Sequence, residues 1–329
     1  MRQHTNRAGL GKRLDHEHAG LNRATRKVAR EVPRVAVDRR TCAHTLTGDE
    51  FRDLVDQQKW VTMRDDRLDH RSAKGSYRRH GSYPSETVSP VGQHIELTTC
   101  GSTQDELRDL AEAGAGVWST VRAEVQTAGR GRRAGRHWVA APGTALLVSI
   151  LLKPRRETTE LPALGIVTAI AVCDALDRMG LAAQIKWPND VVVGARKIAG
   201  VLPDLWPGGL VGLGIGINLD MRKDQLPDLE TTTSVRVELG TAKSAHEAFP
   251  IVMRYLHPAV SAFDRGGFAL LQARAGELDA LRGHELVIER GNGTTEYGVG
   301  AGIAADGALL VERDGEIRGV HSADVRRVR

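Results

Sequence analysis

The stretch that most restricts the fold is ELPALGIVTAIAVCDALDRMG, 160–180, which is apolar on most faces of a helix and stops at Gly180. A helix of this kind has to be covered over most of its surface. The preceding run GTALLVSILLK reads as a strand of the sheet on which it packs. Apolar runs such as ALLVSILL are far too short to span a bilayer, so no membrane segment is expected. A chain of 329 residues has room for two or three units with a substantial core between them.

Alternating strand and helix signals begin at Gln93. GSTQDELRDLAEAG starts with hydroxyl residues, places Glu106 three after Thr103 as in a capping box, and ends at Gly114, which predicts a helix opening at Ser102 or Thr103. VWSTVRAEVQ reads as a strand that delivers Gln126 to one end of the sheet. AQIKWPND, VVVGARKIAGVLPDL and GGLVGLGIGINL are β-rich, with Gly194 and Ala195 in a hairpin turn, and helices are expected at about 245–265 and 268–278. After Gly283 the texture changes to short strands punctuated by GNG at 291, DG at 306 and DG at 314, the pattern of a small barrel. The expected fold is α+β, with a mixed β-sheet and helices over 93–279 and the barrel over 280–329.

Residues 1–92 are different: rich in Arg, Asp, His and Ser, with helical hints only in pieces such as GDEFRDLVDQQKWV. That composition buries too little surface to offset chain entropy, and predicts a disordered basic extension, with translated sequence upstream of the true start or a basic arm for RNA or a partner as alternatives. The net charge of +5 originates there, since 1–90 hold 19 Lys and Arg against 12 Asp and Glu while the remainder holds 27 against 29. A nucleic-acid-binding core is therefore not indicated, and no helix-turn-helix pattern is present in the extension. Cys42, Cys100 and Cys173 are too few and too scattered for a disulfide framework. With no apolar signal core in MRQHTNRAGLGKR, and with Asp15, Glu17, Glu31 and Asp38 speaking against a transit peptide, a cytoplasmic location is expected.

Three clusters bear chemistry. QTAGRGRRAGRHW, 126–138, sets Arg130, Arg132, Arg133 and Arg136 among glycines that let backbone approach a ligand, which suits an oligophosphate although no Walker GxxxxGK[ST] is present. The plain alternative is a solvated basic face, against which stand Trp138 and the apolar strand that follows. KWPND, 186–190, is good turn chemistry and also offers Lys186 for charge, Asn189 for a purine or ribose, and Asp190 for Mg2+ or its waters. In ARKIAG, Lys197 is either an exposed edge-strand lysine or a cation with a covered stem aimed at a ligand. GLGIGIN, 212–218, lacks the third glycine and following helix of a dinucleotide fingerprint, and reads as a glycine-lightened strand beneath a ligand with Asn218 at its end.

In the order GST, QTAGRGR…GR.W, KWPND, RKIAG and GIGIN, the motifs resemble the biotin protein ligase family over about 93–329. The resemblance implies a catalytic domain of the type shared with class II aminoacyl-tRNA synthetases and lipoate ligases, followed by an SH3-like barrel. It implies that ATP and biotin form biotinyl-5′-AMP with release of pyrophosphate, and that the biotinyl group passes to a lysine of a biotin carboxyl carrier domain, the protein partner. By position it assigns biotin contacts to Ser102, Thr103, Gln104, Gln126, Arg130, Gly131, Arg132, Lys197 and Gly200. It assigns the nucleotide to Arg130, Arg132, Arg133, Arg136, Trp138, Lys186, Asn189, Asp190 and Asn218, with Mg2+ on Asp190. Lys197 and Arg130 are the expected catalytic cations.

Two departures from the family pattern stand out. Gln104 replaces an Asn, and Ala134 lengthens the arginine loop by one residue, which leaves open whether Arg132 or Arg133 faces the ligand. A homodimer is also left open. The rival readings are a lipoate or octanoate protein ligase, against which no RRxxGG motif is found, and a biotin-responsive repressor, whose winged helix has no counterpart pattern in 1–92.

Overall fold

The structure is a computed structural model that describes residues 44–46, 92–133 and 135–328. Most of the extension expected to be disordered thus lies outside the described residues. Its one described piece, β1 (His44–Leu46), pairs antiparallel with β2 (His94–Cys100) at the edge of the main sheet.

That sheet has eight strands in the order β1-β2-β3-β4-β8-β7-β6-β5, comprising also β3 (Thr120–Gln126), β4 (Ala145–Leu152), β5 (Gln184–Lys186), β6 (Asp190–Val193), β7 (Arg196–Trp206) and β8 (Leu210–Asn218). Only β2 and β3 run parallel, which makes the sheet mixed, as expected. Every residue of β4 is buried, because both faces of the sheet are covered there. Side chains alternate along a strand, so Leu146, Val148, Ile150 and Leu152 enter the main core with α2 (Leu164–Arg178) and α4 (Ala245–Gly266). Leu151 points the other way, toward Leu107 of α1 (Thr103–Glu112), Val121 and Trp206. The apolar helix α2 supplies twelve buried residues and is followed by Gly180 at φ +93°, a helix-ending conformation that suits glycine. The short helix α3 (Val235–Leu239) was not expected, because VRVEL is brief and rich in β-branched residues. Helix α5 (Gln272–Leu278) closes the helical part.

The remaining strands, β9 (Glu285–Glu289), β10 (Thr295–Ile303), β11 (Leu309–Arg313), β12 (Glu316–Val320) and β13 (Asp324–Arg327), form an antiparallel sheet in the order β12-β11-β10-β9-β13. It is consistent with the SH3-like barrel expected there. Asp314 and Gly315, both at positive φ, make the two-residue hairpin between β11 and β12. The small sheet shares an interior with the main one, since Leu286, Ile288, Leu309 and Val325 belong to the same cluster as Leu164 and Ile170 of α2. Trp187 of KWPND adds a polar link, its Nε1 donating to the carbonyl of Gly307 at 3.0 Å.

No helix among the described residues is long and apolar enough to cross a membrane. Cys100 and Cys173 are buried free thiols, and burial pushes Cys100 up to about 12, so its thiol stays neutral. Cys42 lies outside the described residues.

Buried His94, whose Nδ1 is 2.9 Å from Thr120 Oγ1, has a pKa lowered by burial to about 4. The unfolded chain takes up a proton below its ordinary 6.5 that the folded chain refuses, so this contribution is intact above about pH 6.5 and is lost as pH falls toward 4. His94→Gln should remove roughly 2–3 kcal/mol of the acid-side slope in urea titrations taken from pH 7 to 4. An unaltered slope would assign the acid sensitivity to other groups.

Candidate active site

A cleft opens between α1, the 126–138 loop and strands β4, β7 and β8. One wall is built where β2 hands over to α1. Ser102 is the N-cap, yet its side chain caps nothing, and Thr103 is already helical, so the capping box expected of Thr103 and Glu106 does not form. The Thr103 hydroxyl is used elsewhere: Oγ1 donates to Gln126 Oε1 at 3.0 Å and lies 2.8 Å from Ser149 Oγ. Having one hydrogen, it must accept from Ser149. Gln126 Oε1 also receives the Thr103 backbone N–H at 2.8 Å, so Ser149, Thr103 and Gln126 form a fixed polar chain on a buried wall. Ser149 was missed from the sequence, although a single hydroxyl inside ALLVSILL was the signal.

The floor is made of glycine. Gly212, Gly214 and Gly216 of β8 face one side of the sheet, and a Cβ at any of them would collide with or crowd, respectively, the Trp206 ring, Gln104 Nε2 or the Trp138 ring. Gln104 is buried, and both hydrogens of its Nε2 are spent on the carbonyls of Leu202 at 2.7 Å and Gly212 at 3.0 Å. That leaves Oε1 turned to Arg130 Nη2 at 3.3 Å. Trp138 spans Gly216 and Gly200, and its buried Nε1 has no hydrogen-bond partner among the described residues.

The cations are arranged around these walls. Lys197 Nζ is 2.5 Å from Asp190 Oδ1 and 5.6 Å from the centroid of the Trp138 ring, so it is a half-buried lysine within a strand and not a bare edge cation. Arg130 pairs with Asp105 at 2.9 Å as well as meeting Gln104. Arg132 and Arg133 both pair with Asp324 of β13, and Arg132 also donates to the carbonyl of Ala323 at 2.8 Å.

Of the residues singled out by sequence, Ser102, Thr103, Gln104, Gln126, Arg130, Gly131, Arg132, Trp138, Asn189, Lys197 and Gly200 line this one cleft. Asp190 reaches it through Lys197. Arg133, Arg136, Lys186 and Asn218 are not among the lining residues. Asn218 is buried with its Nδ2 donating to the carbonyl of Thr233 at 2.9 Å, which ties the end of β8 to the segment before α3. Among the described residues, no group of three or more His, Cys, Asp or Glu is placed to hold a metal ion.

The sequence model of the Biotin/lipoate A/B protein ligase family matches residues 101–220, the segment that carries these walls. The biotin--[acetyl-CoA-carboxylase] ligase of Paracoccus denitrificans is 34% identical over 226 residues, 65% of this chain and 92% of that protein. The bifunctional ligase/repressor BirA of Bacillus spizizenii is 29% identical over 71% of this chain and 74% of its own. Among solved structures, the biotin protein ligase of Aquifex aeolicus in complex with biotin and ATP superposes with a TM-score of 0.65 at 26% identity, covering 71% of this chain and 99% of that one. Fold, motif-bearing segment and near full-length coverage of a relative agree, and the chain belongs to the biotin protein ligase family.

Proposed function

We infer that this cleft joins biotin to ATP as biotinyl-5′-AMP and then releases the biotinyl group to a lysine of a biotin carboxyl carrier domain. The supporting observation is that one cleft is lined both by Ser102, Thr103 and Gln126, a donor and acceptor set suited to a ureido ring, and by Arg130, Arg132 and Lys197. A carboxylate and a triphosphate repel each other, and neither reacts until that repulsion is offset. In the first step a carboxylate oxygen of biotin bonds to the α-phosphorus while the bond to pyrophosphate breaks. Lys197 serves both anions there, and Arg130, held by Gln104 and Asp105, meets the charge moving onto pyrophosphate. In the second step a neutral lysine amine of the carrier attacks the acyl carbon, AMP leaves, and the amine proton is lost to solvent.

The buried Nε1–H of Trp138, unpaired among the described residues, suits a ligand acceptor in the plane of the ring at its edge, while the ring's face suits a stacked adenine. Mg2+ fits as an ion carried by the triphosphate, because one protein carboxylate, Asp190, with phosphate oxygens is a common donor set. It would shield phosphate charge.

The 329-residue chain supplied with ATP, Mg2+, biotin and a carrier domain should give an avidin-reactive band on the carrier that excess lipoate does not suppress. Suppression by lipoate, with lipoylated carrier in its place, would favour the lipoate side of the family. Arg130→Gln should lower biotin-dependent ATP–pyrophosphate exchange by roughly 100-fold. An exchange rate within twofold of the parent would remove Arg130 from the first step.

A further inference from the structure

The two adjacent arginines of the loop do different things, and the C-terminal sheet separates them. Asp324 opens β13 directly opposite Glu289 of β9. Like charges facing each other across a ladder repel, and the sheet itself offers Arg326, whose Nε is 3.4 Å from Glu289. The rest of the compensation comes from the loop. Arg133 places Nε on Asp324 Oδ2 and Nη1 4.0 Å from Glu289. Arg132 takes the other oxygen, Oδ1, and the Ala323 carbonyl. Of the two, Arg132 lines the cleft and Arg133 does not.

We propose that Asp324 is a positioning residue for the adenylation step: through Arg133 it anchors the tip of the arginine loop to the C-terminal sheet, and it parks Arg132 at the cleft rim for transfer to a ligand anion. The carboxylate has two oxygens and two guanidinium partners, so Arg132 can leave for an anion while Arg133 keeps the anchor. The other end of the loop is fixed independently, by Trp138 on its glycines and by the Gly131 N–H to Arg136 carbonyl and Trp138 N–H to Gly129 carbonyl hydrogen bonds at 2.8 and 3.1 Å. A loop tethered at both ends loses less conformational freedom when ligand binds. Isolated exposed ion pairs contribute little, whereas this one is a five-charge network with a backbone carbonyl and a carboxylate only 28% exposed. The biotin ligase reading supplies the adenylation step and its anion, while the anchoring itself rests on the ion pairs.

Asp324→Asn keeps the size of the side chain and removes its charge. In hydrogen–deuterium exchange on the full chain without ligand, the Arg136 amide, which donates to the Arg133 carbonyl at 3.1 Å, should exchange at least about tenfold faster, while the Trp138 amide and β9, β10 and β11 keep parental rates. In pyrophosphate exchange the same variant should raise KM for ATP about tenfold and leave kcat within about twofold, the signature of an ordering cost moved into binding. Arg133→Gln should reproduce both effects, and the double variant should add nothing to either single one. Arg132→Gln should lower kcat as well. Unchanged loop exchange would overturn the proposal, and so would acceleration spread equally through β9–β13, which would make Asp324 a fold-stabilising residue. Amide exchange is read without any ligase activity, so failure of the functional reading would remain distinguishable.

Discussion

Lys197→Ala will retain the fold and lose adenylate formation, with biotin-dependent ATP–pyrophosphate exchange reduced by about a thousandfold or more. The size of the loss follows from the local charge balance. Lys197 is the cation 2.5 Å from Asp190, and its deletion removes a donor and also leaves a bare carboxylate beside two incoming anions. Stability should change by no more than about 1 kcal/mol, since the lysine is one-third exposed, and circular dichroism with urea titration checks this. A parental exchange rate in the single variant would exclude Lys197 from the chemistry.

The second large effect comes from the floor. A Cβ at residue 216 would stand 2.7 Å from the Trp138 ring, well inside contact distance, so Gly216→Val must expel the indole from its seat. Valine suits the strand, and the opposite face of β8, with buried Ile215 and Ile217, is untouched, so the sheet should survive. Biotin binding measured by calorimetry should weaken by roughly 100-fold or vanish, because the space a ligand needs is filled and its aromatic wall is displaced. Native affinity in a folded Gly216→Val protein would show that the glycine floor is not part of the ligand site.

These two sites differ in how they could be read from sequence. The glycines of GLGIGIN announced a close approach by something bulky, and the approach is real, although part of the bulk is Trp138, Trp206 and Gln104. ALLVSILL was legible as a strand, but its single serine was passed over, although a hydroxyl within an all-buried strand has to find a partner and so marks a polar wall. The GST motif misled at one point. Its spacing is that of a helix cap, but Gln126 and Ser149, both distant along the chain, take the hydroxyl that a cap would have used. The pairing of Arg132 with Asp324 spans 192 residues and has no local signature at all. Asn218 illustrates the reverse, where residue type suggested a ligand contact while a buried backbone acceptor, the Thr233 carbonyl, takes its amide.

The common interior of α2 and the C-terminal strands has a practical meaning. A backbone break near residue 280 would yield two pieces each displaying an apolar surface made for the other, Leu309 and Val325 on one side and Leu164 and Ile170 on the other. The pieces would recombine on mixing, and turnover would then depend on the concentration of each fragment, as in a split reporter.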